Sequence, residues 1–243
     1  MNTPEQNRPA ALEGALEVYL LGVVDFDAAL FLQERLMMDV GQGDDGRGVL
    51  LVCEHPPLIT IGREGSSAEI RGSREELVAR EIETRWLNRG GGALVHVPGQ
   101  LVAYPILPLA RRGLGLAAYR QRLELAVLDT CSEMRVRASG RPGTAGVFCR
   151  GGKVAQIGVA VRSWVSSHGL FLNVNPRMDA IALVRSSDCR ASSLSAERGC
   201  TVAMPSVRES LIRRLAARLD YDRYHLYTGH PLLRRTKRVV AYA

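Results

Sequence analysis

The middle of the chain carries two apolar runs joined by a glycine pair: residues 145–149, the turn Arg150-Gly151-Gly152, and residues 153–161. A Gly-Gly turn between strand-like runs is a strong hairpin signal, because glycine reaches the positive-φ conformations that match the twist of antiparallel strands. Residues 163–173 read as a further strand, with His168-Gly169 inside it. Strand-like and helix-like runs alternate irregularly along the rest of the chain, which favours a mixed or antiparallel sheet with helices over a regular βαβ winding. The expected fold class is therefore α+β, with a mixed or antiparallel central sheet flanked by helices.

Residues 14–24, 48–54 and 101–105 read as strands, the second halted by Pro56-Pro57, and residues 90–96 lead into the third. Residues 26–40 repeat apolar positions at helical spacing: Ala29, Leu30, Leu32, Leu36, Met37 and Val40. A short helix is expected over 73–80 with Ser73 as its N-cap. Residues 115–134 form an amphipathic pattern with Leu116, Tyr119, Leu123, Val127 and Leu128 near one face, and 206–219 close the helical set. The 243 residues, 46% hydrophobic, fit one sizeable core without a break in composition. The expected layout is an N-terminal tail over 1–13, a single domain over 14–225 and a basic tail over 226–243, the tail including Arg234, Arg235, Lys237 and Arg238.

The apolar stretch 15–24 is too short for a membrane span, follows no basic run and contains Glu17, so a soluble, cytoplasmic protein with no membrane partner is expected. Five cysteines without a CxxC pair or His/Cys metal spacing point away from a disulfide framework and from a metal site. The net charge of +7 raises the question of nucleic acid, but the arginines are dispersed and aromatic content is only 5%. An acidic protein partner accounts for that charge without nucleic acid, since opposite net fields speed encounter.

Only two lysines occur, Lys153 and Lys237, in a chain that otherwise writes arginine. An ammonium exchanges its proton when desolvated or placed beside another cation, whereas a guanidinium does not, so Lys153 in its glycine-flanked, apolar setting is the residue to explain. Strict strand alternation places it on the face of Ile157, opposite Gln156 and Gly158. Upstream, Arg89-Gly90-Gly91-Gly92 leads through Ala93-Leu94-Val95 to His96. Successive glycines let backbone approach a ligand closely and expose amides to it, although such a loop matches neither a phosphate loop nor a dinucleotide fingerprint.

These stretches together resemble the lipoyl(octanoyl) transferase family of the biotin/lipoate protein ligase superfamily. The likeness runs from about Tyr19 to Gly199 through Glu54-His55-Pro56-Pro57, Gly62-Arg63, Arg89-Gly90-Gly91 with His96, Pro98-Gly99-Gln100-Leu101-Val102, Tyr104-Pro105-Ile106, Gly146-Val147, Lys153-Val154-Ala155, Ile157-Gly158-Val159, His168-Gly169, Leu172-Asn173-Val174 and Ser193-Leu194-Ser195-Ala196-Glu197. It implies transfer of an octanoyl group from acyl carrier protein, through a covalent acyl-enzyme, to a lysine of lipoyl domains, those of 2-oxoacid dehydrogenases and glycine cleavage proteins. No cofactor is implied. Lys153 matches the lysine that lowers the thiol pKa and moves protons. Arg89 to His96, Gln156-Ile157-Gly158 and Gly169-Leu170-Phe171 match the acyl-substrate segments.

The chain departs from the family where Pro-Cys-Gly is expected, about 34 residues after the lysine: position 187 is serine, and the nearest thiol is Cys189. Two nucleophiles are compatible with that loop, Cys189 as a thiolate or Ser187 as a hydroxyl activated by Lys153. An altered loop also fits a paralogue that binds acyl chains or lipoyl domains without turnover. Leu94-Val95 before His96 and Val97 after it replace the family's Thr-Tyr or Thr-Trp and Gly, which alters the pocket wall. Cys149 is a second thiol near Lys153 in sequence, and a small buried strand residue is the better reading of it.

Overall fold

The structure is a computed structural model that describes residues 14–185 and 190–233. The N-terminal tail, the end of the basic tail from residue 234, and Ser187 and Cys189 lie outside the described residues. In chain order the strands are β1 (Leu16–Val23), β2 (Gly48–Glu54), β3 (Leu58–Ile61), β4 (Glu83–Trp86), β5 (Ala93–His96), β6 (Gln100–Ile106), β7 (Ser139–Arg141), β8 (Thr144–Cys149), β9 (Gly152–Arg162), β10 (Val165–Asn173) and β11 (Tyr224–Thr228). The helices are α1 (Phe26–Gln42), α2 (Arg74–Ala79), α3 (Leu116–Glu133), α4 (Met178–Ile181), α5 (Leu194–Arg198) and α6 (Met204–Arg218). Among the described residues no helix is long and apolar enough to cross a membrane.

Eight strands form one mixed sheet in the order β11-β1-β2-β6-β10-β9-β8-β7. The pairs β11–β1 and β1–β2 are parallel, and every other neighbouring pair is antiparallel. The parallel β1–β2 step needs a crossover, which α1 supplies. Asp25 caps α1 by accepting from the Ala28 amide at 2.9 Å, and Ala29, Leu32, Leu36 and Val40 bury its inner face. Strand β11 carries the sheet past residue 225.

The expected hairpin of β8 and β9 forms, and a second follows it directly. Arg162 pairs Val165 across a two-residue turn in which Ser163 and Trp164 take φ of 51° and 60°. The strand expected to begin at residue 163 thus begins at Val165, because two consecutive left-handed residues reverse the chain. No glycine marks that turn in the sequence.

Each face of the sheet buries a separate apolar layer. Tyr119, Leu123 and Val127 of α3 and Val207, Leu211 and Leu215 of α6 pack with Val147, Val154, Ile157 and Leu170 on one face. Leu116, expected on the same stripe, is 52% exposed, since it opens α3 beyond the edge of that contact. Helix α1 covers part of the other face against Val49, Leu51, Val102 and Tyr104. Beside it a small sheet, β4-β3-β5, packs with α4 around Ile59, Ile61, Val95 and Ile181.

Truncating Leu123, fully buried where α3 meets the sheet, tests that layer. Leu123→Ala is expected to cost about 3 kcal/mol from lost transfer energy and the cavity left behind. Urea unfolding followed by circular dichroism would read this as a lower midpoint with an unchanged m-value.

Candidate functional site

A β-bulge decides where Lys153 points. Val147 pairs Ala155 while Phe148 pairs Lys153, so Val154 is the extra residue on β9. Val154 and Ile157 belong to the layer under α3 and α6 and Ala155 touches both that layer and the pocket, whereas Lys153 turns to the opposite face with Gln156. Strict alternation, which grouped Lys153 with Ile157, fails here because one inserted residue shifts the side-chain phase by one position. The Lys153 ammonium donates to Gln156 Oε1 at 3.0 Å and lies 5.1 Å from the Phe148 ring centroid, within cation–π range. Gly146, at φ 150°, leaves room for the lysine stem: a Cβ there would stand 3.4 Å from Lys153 Cε and collide with the Ala155 carbonyl.

The pocket that Lys153 enters lies between the main sheet and the small one. Its walls are Ala93, Leu94 and Val95 of β5, then Gln100, Ala155, Gln156, Phe171 and Asn173 of the main sheet, with Ile181, Val184 and Ala191 closing the side. Residues 190–192 run along the start of β9 as an added parallel strand. The Lys153 amide donates to Arg190 O at 2.8 Å, and the Ser192 amide donates to Lys153 O at 2.9 Å. Gly152, at φ 145°, permits that approach, since a Cβ would strike the Arg190 carbonyl.

Arg89 and His96 stand behind the pocket wall, both at 0% exposure. Arg89 Nη2 donates to Thr60 Oγ1 at 2.7 Å and to Thr60 O at 3.1 Å, and Nη1 donates to Gly90 O at 3.0 Å. Thr60 Oγ1 lies 3.0 Å from His96 Nε2, and His96 Nδ1 lies 3.1 Å from Gln100 Oε1. Gln100 Nε2 donates to Asn173 Oδ1 at 3.0 Å, and Asn173 Nδ2 donates to Ser192 O at 3.0 Å. Because the Val95 carbonyl only accepts, and lies 3.1 Å from Gln100 Nε2, the Gln100 amide has one orientation: its Oε1 accepts from His96 Nδ1, which carries the proton, and Nε2 of the neutral ring accepts from the Thr60 hydroxyl.

The glycine loop serves this arrangement by close approach. Gly90 N donates to Val159 O at 3.0 Å, and a Cβ on Gly158 would stand 2.7 Å from Gly90 O. Glu69 accepts from the Ala93 amide at 2.8 Å, so the Gly90 and Ala93 amides, expected to face a ligand, are engaged within the protein. Gly91 packs on Gln156, where a Cβ would come within 3.0 Å of Nε2. Of the residues singled out by sequence, Lys153, Ala93, Leu94, Val95, Gln156 and Phe171 meet in the pocket. Ile157 and Leu170 lie on the α3/α6 face, and Gly169 packs against the Ala103 backbone. Cys149 also belongs to the α3/α6 layer, its thiol pushed up to about 12 by burial. Phe148, Thr60, Gln100, Asn173 and Ala191 were not read as site residues. Gln100 and Asn173 stood in matched stretches, and their polarity within apolar strands was the available signal.

Three buried histidines share the α1 face. His55 Nδ1 donates to Val24 O at 2.8 Å and its Nε2 accepts from Tyr104 Oη at 2.9 Å, and its ring meets that of His96 edge-on with centroids 5.6 Å apart. Burial lowers the pKa of His55 and of His168 from 6.5 to about 4 and holds His96 well below its usual value. All three are neutral in the native state at neutral pH. In the unfolded chain they take up protons near pH 6.5, so stability falls as pH drops from 6.5 and levels off below about 4. His55 and His168 are each expected to remove roughly 3 kcal/mol across that window. Urea midpoints measured from pH 7 to pH 4 check this, with His55→Gln flattening the slope.

The chain matches the lipoyl protein ligase A/B catalytic domain model over residues 25–216. It is 40% identical over 203 residues to an octanoyltransferase of Geotalea uraniireducens, covering 82% of this chain and 91% of that protein. It is 37% identical over 211 residues to an octanoyltransferase of Chloroflexus aggregans, covering 84% and 95% respectively. Among solved structures, lipoate-protein ligase A bound with ATP superposes with a TM-score of 0.72 at 17% identity, covering 90% of each chain. A bi-partite lipoate protein ligase from Thermoplasma acidophilum, described with its E2 lipoyl domain, gives a TM-score of 0.70 at 19% identity over 91% and 89%. At these identities the two ligases establish the fold alone.

Proposed function

The chain belongs to the lipoyl protein ligase A/B catalytic family, among its octanoyltransferases, and on that premise we propose that Lys153 and Cys189 carry its chemistry. It is an acyltransferase that moves octanoyl groups in lipoate biosynthesis. In our reading the donor is octanoyl acyl carrier protein and the acceptor is a lysine of a lipoyl domain, as in 2-oxoacid dehydrogenases and the glycine cleavage system. Four cysteines among the described residues are free thiols, which accords with a reducing cytoplasm.

The observation that carries the assignment is the placing of Lys153. Its ammonium enters an apolar pocket, and its backbone is bonded to Arg190, the residue that follows Cys189 in the chain. A lysine ammonium beside a thiol favours thiolate by electrostatics. In the first step the Cys189 thiolate attacks the carbonyl carbon of the octanoyl thioester, a new C–S bond forms, and the carrier thiolate leaves and takes a proton from Lys153. In the second, the lipoyl-domain lysine amine attacks the acyl-enzyme, the amide forms, its proton returns to Lys153, and the Cys189 thiolate is released. The alkyl chain lies against Leu94, Val95, Phe171 and Ile181, which supply apolar surface.

Incubation of the full chain with octanoyl acyl carrier protein is expected to add one octanoyl mass by intact-protein mass spectrometry. Cys189→Ala abolishes the adduct and Ser187→Ala retains it; an adduct lost only in Ser187→Ala would assign an oxygen ester instead. Lys153→Met is expected to slow acylation by at least about 100-fold, the scale of a positioned acid–base group.

The exposed arginines Arg71, Arg141, Arg150, Arg185 and Arg190 accord with acidic carrier and acceptor proteins. Association steered by such charges weakens as salt shortens the Debye length from about 30 Å at 0.01 M to about 8 Å at 0.15 M. Stopped-flow acylation is therefore expected to show kcat/KM falling with ionic strength while kcat stays constant.

A further inference from the structure

The side chain of Asn173 joins two parts of the pocket, Gln100 on β6 and Ser192 of the added strand. Its Oδ1 accepts from Gln100 at 3.0 Å, and its Nδ2 donates to Ser192 O at 3.0 Å. Asn173 is itself buried, at 8% exposure, in the last position of β10. Ser192 belongs to the added strand whose other bonds go to Lys153, through the Ser192 amide and the Arg190 carbonyl. The same strand is tied outward by the Ser192 hydroxyl to Glu197, whose carboxylate also accepts from Gly151 N at 2.9 Å. Lys153 therefore has on one side a segment whose position along β9 is held by two backbone bonds and by Asn173.

Asn173 has no freedom to flip. Gln100 must present its amide nitrogen to Asn173, because its oxygen accepts from His96 and its nitrogen also donates to Val95 O at 3.1 Å. His96 must carry its proton on Nδ1, because Gln100 Oε1 only accepts, and the neutral ring then accepts the Thr60 hydroxyl proton at Nε2. The orientation of the Asn173 amide is thus set at both ends, by the Ser192 carbonyl, which only accepts, and by the Gln100 amide nitrogen, which only donates. Bonds polarised in one direction reinforce each other in a low-dielectric interior.

We propose that Asn173 is a positioning residue for acyl transfer: it holds the 190–192 segment in register along Lys153 and is itself held, through Gln100, by the hydrogen-bonded chain that runs on through His96 and Thr60 to Arg89. The role rests on the acyltransferase reading of the Lys153 pocket. It acts through the added strand and touches neither the acyl donor nor the reacting atoms.

Asn173→Leu keeps the volume and removes both bonds. Single-turnover acylation by octanoyl acyl carrier protein is expected to lose about tenfold or more in its maximal rate, with half-saturation by the donor unchanged, as misplacement by a fraction of an ångström does. The pH–rate profile is expected to move to higher pH, because the Lys153 ammonium no longer sits in register to favour the ionised nucleophile. A purely structural role would lower the melting temperature and the fraction of active enzyme, yet leave the pH profile of the folded fraction in place. That result, or an unchanged rate, overturns the proposal. If Asn173→Leu does not fold, Thr60→Val decides: it removes the donor to His96 Nε2 far from the pocket, and the same pH displacement is expected with a smaller loss of rate. A folded Thr60→Val enzyme with the wild-type profile overturns the coupling. Wild-type enzyme that forms no acyl adduct would refute the acyltransferase chemistry itself, and so separates that failure from this one.

Discussion

A guanidinium buried without a carboxylate partner organises the site. Among the described residues Arg89 has no ion pair, and its donors reach Thr60 and Gly90 instead. Burial pulls its pKa down to about 10, which still leaves it charged at neutral pH. Such a charge is tolerated only where the surrounding dipoles are fixed to receive it. The Thr60 hydroxyl accepts from it and donates to His96, and the hydrogen-bonded chain continues through Gln100 to Asn173 and the segment beside Lys153. The glycine loop is where the charge is set down: Gly90 and Gly158 let the loop lie on β9 with the guanidinium beneath.

The two faces of the central sheet divide the work. One is filled by α3 and α6 and carries no polar site, and Cys149 belongs to it as a small buried residue with a thiol too basic to ionise at neutral pH. The other face is shared between α1 and the small sheet, and the pocket occupies the space where those two coverings do not meet the strands. Apolar walls with a few converging polar groups are the usual character of a site for a small acyl group.

Much of this was legible along the chain. The helical repeat at Ala29, Leu32, Leu36 and Val40, the Ser73 cap and the glycine turn at 150–152 are local signals, and the elements form where those signals lie. The second turn, at Ser163 and Trp164, was not legible, because neither residue type announces the left-handed backbone it adopts. Likewise the stretch from Arg89 to His96 does not show along the chain that its two polar ends are fully buried, behind the wall that Ala93, Leu94 and Val95 present to the pocket.

The sequence by itself determined the class of fold, the order of its elements and the family, since propensity, turn chemistry and motif spacing are written in neighbouring residues. Tertiary structure alone decided which way Lys153 faces and what stands beside it. A strand pattern of period two carries no record of an extra residue that pairing with β8 forces out at Val154. Nor does spacing show that Ser192 returns to lie along β9, or that Asn173 and Arg89 belong to one hydrogen-bonded chain, because those contacts join residues far apart in the sequence.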